Sequence, residues 1–214
     1  MATKAHEKEF YNLPSKIYKN DPNWIPQLKQ DVAYVFDRER NKYFGHGRCT
    51  RWILIDSEAR TVGRIAAFVN NKKAFTFKQP TGGIGFFECI NELEASTTLF
   101  DTAKEWLIEQ GMEAMDGPIN FGENNKFWGL ITENFTFPTY QGQNYNPEYY
   151  VRLFENYGFQ VYYNQIINYR RVDEAVPLKY QEKAANILAD PNIHIETIKK
   201  NQLSKYAEDF RLVY

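Results

Sequence analysis

The chain has 214 residues, enough for one well-buried core and a short appendage. Its 26 Lys and Arg nearly balance its 27 Asp and Glu, so no long-range field draws it to nucleic acid or to an anionic membrane surface. The longest apolar runs, such as Val62 to Val69, fall far short of the roughly 20 residues that cross a bilayer. The first nine residues are charged and lack the apolar stretch of a secretory signal, which points to a cytoplasmic protein. Cys49 and Cys89 are too few and too far apart for a disulfide framework or a zinc cluster, and both read as reduced thiols.

In chain order, Phe10, Leu13, Ile17 and Tyr18 recur at helical spacing until Pro22, Trp24 and Pro26 break the pattern. A second charged helix is expected over Gln30 to Arg40, ending in the Gly45-His46-Gly47 turn. Three strand-like runs follow, Thr50 to Asp56, Thr61 to Asn70 and Ile84 to Ile90, separated by turn signals and read as a meander. Leu99, Ala103, Trp106 and Leu107 then mark the clearest helix, Ala95 to Gln110, with Gly111 at its C-terminal cap. A brief strand at Met112 to Met115 leads into Gly117-Pro118 and about thirty residues without a clear period. Asn146 as N-cap and Pro147 as first helical residue predict a helix through Tyr157 to Gly158, followed by a long final strand from Phe159 to Val172.

The tail from Asp173 to Tyr214 reads as a helix (Lys179 to Leu188), a short strand (His194 to Ile198) and an uncapped helix from near Ser204. It is expected to be the start of a second, truncated unit behind a first domain spanning 1–172.

Four pieces occur in a fixed order: Val-Gly-Arg-Ile-Ala-Ala (Val62 to Ala67), Gly-Phe-Phe-Glu (Gly85 to Glu88), Gly117-Pro118 and Asn-Pro-x-Tyr-Tyr (Asn146 to Tyr150). With the element order, and with a helix ending in Leu153 to Phe159, the chain resembles the GNAT superfamily of acyl-CoA N-acyltransferases, within an uncharacterised bacterial group. The resemblance covers roughly Arg48 to Val172. It implies an α/β (α+β) fold with a mixed, mostly antiparallel central sheet flanked by helices. It also implies acetyl-CoA or another acyl-CoA as donor, a small-molecule amine as acceptor, and a second GNAT-like half or a homodimer as partner. Two other readings stand beside it: a GNAT-like binding module without catalysis, and a Fem-type aminoacyl transferase, which the absence of a basic surface disfavours.

On this resemblance the coenzyme lies against Ile90, Asn91, Ala95, Ser96, Thr97 and Asn146. The matching loop lacks Gly-x-Gly and a basic residue, and it carries Glu92 and Glu94. Glu88, flanked by aromatic rings, is the candidate general base, because lost hydration raises a carboxyl pKa toward the useful range. Strand alternation equally places Arg64 opposite Glu88 as a structural ion pair, and Arg64 is also a candidate substrate contact. The usual family tyrosine in the late helix is replaced by Phe154, leaving Tyr150 as a candidate general acid, with Tyr149 or Tyr157 as rivals. Asn120 and Asn124, in the Asn120 to Asn125 stretch, could line a polar substrate pocket or simply serve a turn. His6, His46 and His194 show no metal-ligand spacing, and no metal is expected.

Overall fold

The computed structural model describes residues 3–214. Contacts divide the chain into one unit ending at Gln165 and a second from Ile166 to Tyr214. The first unit opens with helix α1, Lys4–Ile17, whose N-cap Thr3 hydroxyl accepts from the His6 amide at 3.2 Å. Glu7 in its first turn and Lys16 in its last complement the helix dipole. Helix α2, Lys29–Val35, is shorter than the charge pattern suggested. The Asp37 carboxylate accepts from the Glu39 and Arg40 amides, and that local turn competes with further helix.

Strands β1 (Gly47–Ile55) and β2 (Thr61–Asn70) pair antiparallel, a single helical turn α3 (Asn71–Ala74) follows, and β3 (Thr81–Cys89) pairs antiparallel with β2. Helix α4, Leu93–Glu109, crosses over to β4, Ala114–Asp116, which pairs parallel with β3. The result is a four-stranded mixed sheet in the order β1-β2-β3-β4, mostly antiparallel and flanked by helices, as expected for an α+β protein.

Alternation along β2 builds two cores. Ile65, Ala67 and Val69 face α4, which presents Ala95, Leu99, Ala103 and Leu107 at four-residue intervals, and helix α5 (Tyr149–Tyr157), which presents Tyr150, Leu153 and Phe154. Ala66 and Phe68 face the opposite way, toward Phe10 of α1, Val32 and Val35 of α2, and Phe121 and Phe127. Helix α5 ends at Gly158, whose φ of 107° is the left-handed cap conformation glycine adopts without cost.

In the second unit, helix α6 (Leu178–Ala189) and helix α7 (Leu203–Val213) match the tail reading, but no residue from Ile166 onward is buried. Two expected strands are absent. Phe159 to Val172 and His194 to Ile198 form no ladder, because strand propensity is realised only against a neighbouring strand and none lies beside them among the described residues. Asn146 is likewise not the N-cap of α5; that position belongs to Glu148. The Asn146 side chain instead exchanges hydrogen bonds with the Ile131 amide at 2.8 Å and carbonyl at 3.1 Å.

Candidate functional site

The site begins with a fault in the β2–β3 ladder. Arg64 pairs with Glu88, whereas Ala66 pairs with Gly85, so β3 holds one extra residue, and Phe86 takes a φ of 51° to accommodate it. A strand without this bulge would turn Glu88 to the same side as Ile84, into the apolar core beneath α4. The bulge instead aims it at the α1 face, opposite Arg64. Both side chains are nearly inaccessible, Glu88 at 7% and Arg64 at 3% exposure.

Arg64 owes its seat partly to Pro14. A proline inside a helix donates no amide to the carbonyl four residues back, here that of Phe10. The Arg64 Nη1 donates to that carbonyl at 2.7 Å, with the guanidinium 4.8 Å from the centre of the Phe10 ring. Its Nη2 donates to Glu88 Oε1 at 3.1 Å. The other carboxylate oxygen accepts from the Tyr18 hydroxyl at 2.5 Å and from the Tyr150 hydroxyl at 2.9 Å. A carboxylate offers about four lone-pair positions, so three donors leave room for one more.

Burial pushes the Glu88 pKa above its ordinary value, against the pull of Arg64 and the two tyrosines. Burial and the neighbouring carboxylate hold the Tyr18 and Tyr150 hydroxyls far above theirs, so both stay protonated donors at neutral pH. The centre is therefore a carboxyl with a strengthened hold on a proton, clasped by one cation and two phenols. Chemically such a centre can take up and release a proton.

Strands β3 and β4 pair only from Thr81–Ala114 to Gly83–Asp116, with one further bond from the Ile119 amide to the Ile84 carbonyl at 2.7 Å. β4 ends at Asp116, and the Ile119 carbonyl packs against Gly85 just beyond. The edge at Cys89 is occupied by α5: the Cys89 amide donates to Tyr150 Oη at 2.8 Å, and Tyr149 Oη donates to the Cys89 carbonyl at 2.8 Å. A cavity of about 30 Å³ remains against Arg64, Glu88, Pro118, Asn146 and Tyr150, room for a water or two. Arg64 Nε is buried there without a partner.

The other predicted residues sit as follows. The Ile90 amide donates to the Val62 carbonyl at 3.0 Å and is part of the ladder rather than free. Ala95 and Ser96 are buried, and Ser96 Oγ bonds back to the Leu93 carbonyl at 2.9 Å, so it points into α4 and away from any ligand at the helix start. Thr97 is exposed. Glu92, the N-cap of α4, makes no capping bond with its side chain. Neither Asn120 nor Asn124 lines the cavity; Asn120 is buried, with its Nδ2 3.5 Å from the Glu123 carbonyl, and Asn124 is exposed.

Sequence reasoning missed two participants. Tyr18 reaches Glu88 from a distant helix end, and only its helical spacing with Phe10 and Leu13 hinted that it points inward. Arg152 of α5 donates to Asn91 Oδ1 at 2.7 Å, bringing a cation to the start of α4 that the loop itself lacks. Among the described residues no group of His, Cys, Asp or Glu is arranged to hold a metal ion, and no helix is long and apolar enough to cross a membrane.

No family model matches the chain, and no solved structure matches it. It is 28% identical over 159 residues to Protein YghO of Escherichia coli, covering 71% of this chain and 38% of that protein. It is 28% identical over 162 residues to the bacterial ceramide synthase of Caulobacter vibrioides, covering 73% of this chain and 41% of that protein. The chain spans about two fifths of the length of these curated relatives.

Proposed function

We propose that the chain carries the core of a GNAT-like N-acyltransferase that moves an acyl group from a coenzyme A thioester to an amine. The observation that carries the reading is Glu88: a buried carboxyl of raised pKa, set by a bulge just past the last β3–β4 pair. The similarity to a protein named a ceramide synthase supports acyl transfer, and the element order supports the GNAT-like architecture.

In the proposed reaction the amine attacks the thioester carbon, Glu88 takes the proton directly or through water, and the thiolate leaves as coenzyme A. Tyr150, hydrogen-bonded to both Glu88 and the Cys89 amide, would return a proton to the sulphur. Asn91, Ala95 and Thr97, with Arg152, form the end at which the pyrophosphate would meet the first turn of α4.

A second reading rests on a specific contact. Tyr149 and Tyr150 already satisfy the Cys89 edge, which suits a GNAT-like module that binds without catalysing. Thermal unfolding of the full chain with acetyl-CoA separates the two. At one hundred times the dissociation constant, binding adds about 2.7 kcal/mol, a rise of roughly 5–10 °C at this size. No rise refutes the acyl-donor reading. With a rise, Glu88→Gln is expected to keep acetyl-CoA binding and lose turnover; a variant that still turns over removes Glu88 as the base.

A further inference from the structure

We infer that the connection between β2 and β3 is a docking tip for an anionic lipid surface. This connection, residues 71–80, leaves the end of the sheet at which β1 and β3 begin and β2 stops, Gly47 standing opposite Asn70 and Gly83 opposite Phe68. Its base is fixed. The Asn70 side chain accepts from the Lys72 amide at 3.1 Å, the Asn71 amide donates to the His46 carbonyl at 2.9 Å, and Ala74 is buried in the core beneath α4. Thr76 closes the turn, its amide and its hydroxyl both donating to the Lys73 carbonyl. With Ala74 in the inward place, Phe75 and Phe77 are left 62% and 41% exposed, and neither belongs to either core.

Charge selects the partner. Lys72, Lys73 and Lys78 are exposed on the same connection, Arg48 is exposed at its foot, and no Asp or Glu occurs from Ala59 to Phe87. Glu123, whose carboxylate feels Lys73, is itself paired with Lys42 at 3.1 Å. One further acid, Glu113, stands at the foot beside Pro80, its amide donating to the Pro80 carbonyl. The near-balance of charge over the whole chain gives no long-range attraction to such a surface. At physiological salt, however, a field reaches only about 8 Å, so the charge that matters at contact is that of the tip.

Bare phenyl rings among lysines suit the boundary of a bilayer, where the rings enter the acyl edge and the ammonium groups stay with the headgroup phosphates. A nucleic-acid strand is instead tracked by a cationic groove with the rings inside it, whereas these rings stand on an exposed turn. The tip lies far from the carboxyl centre: from Asn70 back to Arg64, opposite Glu88, β2 runs about 20 Å. Changes at the tip therefore leave that centre untouched, and the inference stands apart from the acyl-transfer reading.

Co-sedimentation of the full chain with vesicles tests it, comparing phosphatidylcholine alone with phosphatidylcholine containing about one third phosphatidylglycerol. Binding to the anionic vesicles is expected to be about tenfold or more tighter, and to fall steeply between about 0.1 M and about 0.5 M salt. Lys72→Gln, Lys73→Gln and Lys78→Gln combined are expected to weaken it about 100-fold, roughly fivefold per lysine. Phe75→Ser with Phe77→Ser is expected to weaken it about tenfold or more, with thermal melts matching wild type because neither ring is buried. Lys19→Gln with Lys104→Gln, two exposed lysines elsewhere, is expected to change nothing beyond about twofold. Equal binding to both vesicles, binding that survives both sets of tip substitutions, or an equal loss from the Lys19 and Lys104 pair overturns the proposal. Uptake of poly-uridine that the tip substitutions weaken, with no binding to either vesicle, overturns it too and assigns the tip to nucleic acid.

Discussion

Removing a carboxylate from water is costly unless charge and hydrogen bonds replace the lost hydration, and at Glu88 that replacement is one guanidinium and two phenols. Burial still outweighs them, so the folded protein holds the Glu88 proton more tightly than the ordinary 4.5 of an exposed glutamate. A group with a raised folded pKa contributes stability that is complete below its unfolded pKa and is lost as pH rises through the folded one. The difference in unfolding free energy between wild type and Glu88→Gln is therefore expected to move against the wild type as pH rises from about 4.5 toward neutrality, read by urea titration at several pH values. Under the acyl-transfer proposal the acid limb of kcat/KM would report the same ionisation and is expected above the ordinary glutamate range, absent from any residual activity of Glu88→Gln; a limb that persists in the variant assigns the proton elsewhere. This residue was legible in the sequence because a charge on the apolar stripe of β2 demands a partner across the ladder. Tyr18 was not, because the contact closes 70 residues of chain and no local pattern reports it.

Glu88 reaches its partners only because β3 is bulged, and the bulge in turn depends on a close approach at Gly85. A Cβ there would lie 2.0 Å from the Ile119 carbonyl oxygen, a backbone atom that cannot swing aside. Gly85→Ala is expected to cost about 2 kcal/mol, a fall of roughly 4–8 °C in Tm, whereas Gly45→Ala, whose Cβ would meet nothing within 4 Å, is expected to stay within about 0.5 kcal/mol. Paired thermal melts check both, and equal melts would remove the packing argument for the bulge. The sequence announced β1, β2, β3 and α4 through periodicity, since each has a face that must be buried. It mis-stated the elements whose fate depends on distant chain: the strand expected over Phe159 to Val172 needs a neighbour that local pattern cannot supply, and Asn146 was drawn from its capping role by the backbone of Ile131.

Every buried side chain that defines the two cores comes from the chain before Gln165, while α6 and α7 bury none. Cooperative stability scales with the apolar area withdrawn from water, so the first unit holds nearly all of it and the second contributes little to the main transition. The helices of the second unit are 12 and 11 residues long, near the length below which an isolated helix is marginal in water. Two consequences are expected together. A chain ending at Gln165 melts within about 2 °C of the full chain, a difference of less than about 1 kcal/mol. In the full chain the amides of Leu178–Ala189 and Leu203–Val213 exchange with solvent deuterium orders of magnitude faster than those of Thr61–Asn70. Protection of the two tail helices equal to that of β2, or loss of the cooperative melt on truncation, would show that the second unit carries stability that its exposed side chains do not account for.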